Sequence, residues 1–203
     1  MNFSTISKDF PLILASSSPR RKKLLSQIGI PFHPRVSNID ENMNTATSPF
    51  SPRKLAVKKA KAVYSDLSKN WILGADTVVM LGEALIGKPK DSEEAKSTLV
   101  KLNGKDHKVI TGFCLLDPTG EIGHMEEITT FVKVKKLTAQ EITAYIATSE
   151  PFGKAGSYGI QGIGAFMVEA ITGSYSNVVG LPLCALIKAL RRTGALEAFP
   201  IPS

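Results

Sequence analysis

The sequence is poor in the residues that most often carry a special chemistry. Only two cysteines occur in 203 residues, Cys114 and Cys184. Both lie in apolar stretches without metal-ligand spacing, which excludes a disulfide scaffold or a zinc ribbon and reads as reduced core cysteines. The three histidines, His33, His107 and His124, are scattered and share no ligand or triad motif, so they read as structural or surface residues. Aromatic residues make up 7% of the chain and form no stacking platform, and no recognition-helix motif accompanies them. Long apolar runs are missing too. Phe10–Ala15 is too brief for a signal-peptide core and follows no basic segment, and Val178–Ile187 is far below a membrane span. The expectation is a cytoplasmic protein with no membrane partner. There is no internal repeat and no low-complexity segment.

What is present fits an ordinary globular chain. Hydrophobic residues are 43% and charged residues 21%, and the length suits one large domain or two small ones. The net charge is +7 and the pI about 9.4, which suggests an anionic partner: nucleic acid, an acidic membrane surface or a phosphorylated small molecule. Charge alone does not choose among them.

The stretch Trp71–Leu81 organises the rest. Nine of its eleven residues are apolar or glycine, it is rich in β-branched residues, and Gly82 follows, so it reads as a buried strand. Asp76 sits in its middle. A buried carboxylate needs a partner, and two readings are open. One is a structural ion pair with a lysine or arginine. The other is a carboxylate at a site mouth, opened where Gly74 breaks the strand, binding metal or taking a proton from water.

Around that strand, Leu12–Ala15 predicts a second buried strand after a loose tail over 1–10. A serine-rich turn leads into a helix from Arg20 to about Ile28, capped by Ser18 with Pro19 in its first position and ended by Gly29. Arg20 and Arg21 in the first turn oppose the helix dipole; a bound anion would resolve the conflict, and solvation of both is the alternative. Phe32–Val36 suits a short strand, and Asp40 and Glu41 fall in a polar loop. A helix is expected from Pro49 to about Leu67, capped by Ser48 or Ser51, with Lys58, Lys59 and Lys61 read as surface charge.

The run Gly82 to Pro89 has P-loop spacing, but proline stands where the loop needs a hydroxyl and an N–H, so that reading fails; Lys88 can still reach a phosphate. A helix over about Asp91–Leu102, strands at Lys108–Leu116 and Glu126–Lys135 joined as a hairpin, and a helix from Thr138 to about Ser149 with Glu141 closing a capping box follow. Residues 153–164 hold five glycines in twelve positions, a loop whose backbone makes close approaches. Phe166–Ile171 predicts a strand, about Leu181–Arg192 a last helix, and the residues after Thr193 a loose tail.

Five stretches together resemble the Maf family of nucleoside triphosphate pyrophosphatases, also called septum-formation inhibitors. They are Leu14-Ala-Ser-Ser-Ser-Pro-Arg-Arg21, Gly74-Ala-Asp-Thr-Val-Val79, Gly87-Lys-Pro89, Tyr158-Gly-Ile-Gln-Gly162 and Gly173-Ser-Tyr-Ser-Asn-Val-Val-Gly-Leu-Pro-Leu183. They occur in family order over about residues 11–192, and the ten residues before Pro11 are the visible departure. The resemblance implies an elongated, two-lobed α/β domain of mixed sheet, Maf/ITPase-like, with a nucleotide-binding cleft. It makes 11–192 one catalytic domain, with tails at 1–10 and 193–203.

It further implies hydrolysis of dTTP and UTP, with modified pyrimidine nucleotides, to a monophosphate and pyrophosphate. Asp76 matches the family's proton acceptor. Arg20, Thr77 and Gln161 match positions that set base preference; a sister subfamily acting on 7-methyl-GTP has Trp and Glu at the first and third. Ser16, Arg21, Lys59 and Lys88 match phosphate- and substrate-binding residues. Glu41, another polar residue of the family's cleft, joins Asp76 as a suitable ligand for Mg²⁺ or Mn²⁺. A homodimer is expected on family grounds only. The competing class is a non-enzymatic basic regulator of cell division that binds nucleic acid or a division protein.

Overall fold

The computed structural model describes residues 3–39, 51–64 and 69–201. The expected helix start at Pro49, its end at Leu67, and Glu41 lie outside the described residues. The fold is mixed α/β, a seven-stranded sheet with helices. The elements in order are β1 (Leu12–Ala15), α1 (Pro19–Gln27), β2 (Phe32–Pro34), α2 (Pro52–Val63), β3 (Ile72–Leu81), β4 (Ala84–Ile86), α3 (Ser92–Leu102), β5 (Asp106–Leu116), β6 (Ile122–Val134), α4 (Ala139–Ala147), β7 (Val168–Thr172), α5 (Tyr175–Val179) and α6 (Leu183–Arg192). Two 3₁₀ turns, Ala155–Ser157 and Ile163–Met167, lie between α4 and β7. The strand order is β2-β1-β3-β5-β6-β7, with β4 paired to β3.

The chain forms two compact units, each discontinuous in sequence, with boundaries that fall inside β3, β5 and β6. The first holds residues up to Asp76, Thr111–Ile128 and Gly180 onward. Here β1 runs parallel to both β2 and β3, with Ala15 opposite Gly74. Its core includes Ile13, Ala15, Ala56, Ala60, Ile72, Cys114 and Leu116. Gly74 does not break the strand: β3 is continuous through it, and its missing side chain admits α2 instead. A Cβ there would stand 2.1 Å from the Ala56 carbonyl oxygen and 2.9 Å from the Ala60 nitrogen. Among the described residues, the segments expected to be loose are docked, because each supplies apolar side chains. Ile6, Ala195 and Leu196 are buried, and the Ile6 N–H donates to the Ala195 carbonyl.

The second unit, Thr77–Ile110 and Thr129–Val179, has a separate core of Val79, Leu99, Leu102, Val109, Val132, Ile142, Tyr145, Tyr158 and Met167 among others. The β3–β4 hairpin, turning at Gly82 with φ of 57°, was not anticipated, because three residues carry too little pattern. The capping box of α4 is as expected: Thr138 Oγ1 accepts from the Glu141 N–H, and the Glu141 carboxylate accepts from the Thr138 N–H. Cys114 is buried, but Cys184 is exposed, contrary to the core reading of both cysteines. It sits on α6 away from the face that buries Leu186, Ala189 and Leu190. No helix of the described residues is long and apolar enough to cross a membrane.

Candidate active site

In the first unit, four of the candidate residues are buried polar groups: Ser16, Arg21, Lys59 and Asp76. Their placement follows from the parallel strands. Ala15 ends β1 opposite Gly74, so Ser16 follows the carboxyl end of β1 while Asp76 lies further along β3. Carboxyl ends of parallel strands are where open α/β sheets take ligands. Ser18 caps α1 by accepting from the Arg21 N–H at 3.5 Å, which fixes the first turn beside Ser16. Arg21 is not solvated. Its Nε donates to the Gly180 carbonyl at 2.9 Å and its Nη1 to Ser16 Oγ at 3.1 Å, tying the serine-rich stretch to the Gly180 stretch. Arg20 beside it is half-buried, and that desolvation lowers its pKa.

Lys59 is buried rather than part of a surface cluster, while Lys58 and Lys61 are exposed as expected. Its Nζ donates to Asp76 Oδ1 at 2.8 Å. Gly74 and Asp76 are two apart on β3 and so share a face, the one on which α2 lies close enough for Lys59 to reach. Thr77, the next residue, points to the opposite face. Among the described residues, no three His, Cys, Asp or Glu side chains gather as a metal site.

In the second unit, Lys88 and Gln161 are exposed. The Gly156 N–H donates to the Gly87 carbonyl at 3.2 Å, so the glycine-rich loop is tied to the turn that carries Lys88. Two non-glycine residues of this region, Ser149 and Ser157, adopt left-handed backbone with φ of 61° and 57°. Such residues cost of order 1–3 kcal/mol each and cluster at functional sites. The stretch Gly173–Asn177 is explained by packing: buried Asn177 donates from Nδ2 to the Val109 carbonyl at 3.1 Å and to Thr130 Oγ1 at 2.9 Å.

Sequence reasoning missed the support of the Gln161 loop. Glu150 Oε2 accepts from the Ile163 N–H at 2.8 Å, and Oε1 from the Gly164 N–H at 3.0 Å. The Tyr145 hydroxyl donates to Glu150 Oε1 at 3.0 Å and accepts from the Gly159 N–H at 3.1 Å. Lys154 Nζ donates to the Glu150 carbonyl. Partial burial opposes ionisation of Glu150, but the Gly164 and Ile163 amides with the Tyr145 hydroxyl outweigh it and hold the carboxyl below the usual range. The signal was the glycine spacing. A Cβ on Gly162 would stand 2.3 Å from Glu150 Oε2, and one on Gly164 would stand 2.6 Å from the Tyr145 hydroxyl.

Comparison with known proteins points one way. The model of the Maf-like protein family matches residues 11–193. A dTTP/UTP pyrophosphatase of Ruminiclostridium cellulolyticum is 49% identical over 183 residues, covering 89% of this chain and 95% of that protein. A dTTP/UTP pyrophosphatase of Syntrophotalea carbinolica is 43% identical over 194 residues, with 94% and 88% covered. One from Desulfotalea psychrophila is 45% identical over 183 residues, with 90% and 94% covered.

Proposed function

The chain belongs to the Maf family, and from that membership we propose that it hydrolyses dTTP and UTP, and modified pyrimidine nucleotides, to the monophosphate and pyrophosphate. The observation that carries the residue assignment is the buried Lys59–Asp76 pair beyond the carboxyl end of β1, 2.8 Å between Nζ and Oδ1. Asp76 takes the proton of the water that breaks the α–β anhydride. Lys59 holds the carboxylate in place through the 2.8 Å contact and, with Lys88 and Arg21, offsets the substrate's charge. A triphosphate carries about four negative charges, and phosphoryl chemistry depends mainly on positioning and neutralisation. Arg21 also holds Ser16 in place. Arg20, Thr77 and Gln161 set base preference; the Gln161 amide both donates and accepts, as a uracil or thymine edge requires.

Mg²⁺ or Mn²⁺ is the ion of this reading, since both favour carboxylate oxygen. Such ions are held by one or two carboxylates plus substrate phosphates and water, and Asp76 with Glu41 would supply the carboxylates. The ion would neutralise phosphate charge and lower the pKa of bound water. Residues 11–192 act as one catalytic domain, in the cytoplasm, and a homodimer is the proposed assembly.

The test is a panel of nucleoside triphosphates with separate detection of pyrophosphate and orthophosphate, with and without EDTA. UTP and dTTP should give pyrophosphate, EDTA should silence turnover and Mg²⁺ or Mn²⁺ restore it. Release of orthophosphate with a nucleoside diphosphate would sink the assignment.

A further inference from the structure

Gln161 is exposed, on a glycine-rich segment, yet a base-reading amide must be held within about 0.5 Å of its productive position. The restraint comes from two side chains at the end of α4. The Gly159 N–H donates to the Tyr145 hydroxyl, which donates to Glu150 Oε1; the Gly164 and Ile163 amides close the circuit on the same carboxylate. These anchors flank Gln161 on both sides. Ser149, left-handed at φ of 61°, ends the helix and turns the chain into Glu150. Glycines at 162 and 164 are required because the loop backbone lies against the two anchors, closer than a side chain allows.

We propose that Glu150 and Tyr145 are positioning residues for base selection: the carboxylate and hydroxyl clamp the 159–164 loop so that Gln161 presents its amide to the pyrimidine edge. The proposal rests on the reading of Gln161 as a base-contacting residue. It explains features that loop closure alone does not. A carboxylate that accepts two amides and a phenol has the charge-assisted bonds that fix geometry, not merely chain path. The ionised group is matched only by acceptor geometry at both oxygens. Glu150→Gln keeps the size but replaces one acceptor oxygen with an N–H₂ group facing backbone donors.

The experiment measures kcat and KM for UTP, dTTP, CTP and GTP on wild type, Glu150→Gln, Tyr145→Phe, Gln161→Ala and the double variant Glu150→Gln/Gln161→Ala, with thermal midpoints alongside. Glu150→Gln should lower kcat/KM for UTP and dTTP about 10-fold or more while GTP changes less than about threefold, the scale of one misplaced contact. Tyr145→Phe should move the same ratio less. In the Gln161→Ala background, Glu150→Gln should add under about twofold, because residues acting as one unit are not additive. Should Glu150→Gln fail to fold, Tyr145→Phe, which keeps its ring, carries the test. An unchanged UTP-to-GTP ratio in the clamp variants, with a changed one in Gln161→Ala, overturns the clamp and leaves the base reading standing. An unchanged ratio in Gln161→Ala alone overturns the base reading, and the clamp falls with it.

Discussion

Lys59 and Asp76 are a pair that stability alone does not require. Each charge loses several kcal/mol of hydration on burial, and an apolar pair of similar volume often serves a fold as well or better. Removing one partner is different, since it strands the other charge at a cost of about 3–5 kcal/mol. Asp76→Asn and Lys59→Met should therefore each lower the urea midpoint, whereas Lys59→Met/Asp76→Leu should regain most of that loss. All three should turn over UTP at least about 100-fold more slowly, the Asp76 variants for loss of a general base and Lys59→Met for loss of the cation that holds it. A double variant as active as wild type would return the pair to a purely structural role. His107 makes a separate prediction. Its Nε2 lies 2.7 Å from the Tyr158 hydroxyl, and burial holds its pKa at about 4, against the pull of Asp106 toward protonation. The unfolded chain, with an ordinary value of 6.5, binds the proton first. Stability from this residue is thus complete above pH 6.5 and falls as pH drops toward 4, by about 3 kcal/mol when fully expressed. Urea midpoints across that window should slope in wild type and flatten in His107→Gln; equal slopes would place the titration elsewhere.

At the scale of elements, the approach of α2 to β3 sets the Lys59–Asp76 distance. Gly74→Ala would place a methyl 2.1 Å from the Ala56 carbonyl oxygen, so the helix must move outward and carry Lys59 with it. Overpacking of this kind costs about 1–3 kcal/mol, and kcat should fall with it. A destabilised variant with normal kcat would show that α2 shifts without disturbing the pair. What was legible beforehand follows the range of the interaction. Ser18, Ser51 and Thr138 cap their helices as local side chain-to-backbone bonds, and local chemistry is written in adjacent residues. Lys59 was misread in isolation because its neighbours Lys58 and Lys61 are exposed and only tertiary packing singles it out. Glu150 was invisible because its partners are amides 13 and 14 residues away, although the glycines that accommodate it were plain. Gly74 looked like a strand break for the same reason: what it accommodates belongs to a different element.

For the whole molecule, the net charge of +7 is the property that both functional classes share, so it must be tested through what it attracts. A nucleotide enzyme uses it to raise the encounter rate with a small polyanion, while a nucleic-acid regulator uses it to displace many counterions at once. The two have different salt signatures. Debye screening shortens from about 30 Å at 0.01 M to about 3 Å at 1 M, which removes long-range steering but leaves buried pairs nearly untouched. Lys59 and Asp76 are buried, so the chemical step should be insensitive to salt, whereas capture of UTP should weaken. Raising salt over that range should lower kcat/KM for UTP by about 10-fold, through KM, with kcat changing less than about twofold. Duplex DNA should bind weakly and fail to inhibit UTP hydrolysis at low salt, since Lys59 and Asp76 are buried. Strong inhibition by DNA, relieved by salt with the steep slope of several released counterions, would instead make the basic surface a nucleic-acid interface and the nucleotide chemistry secondary to it.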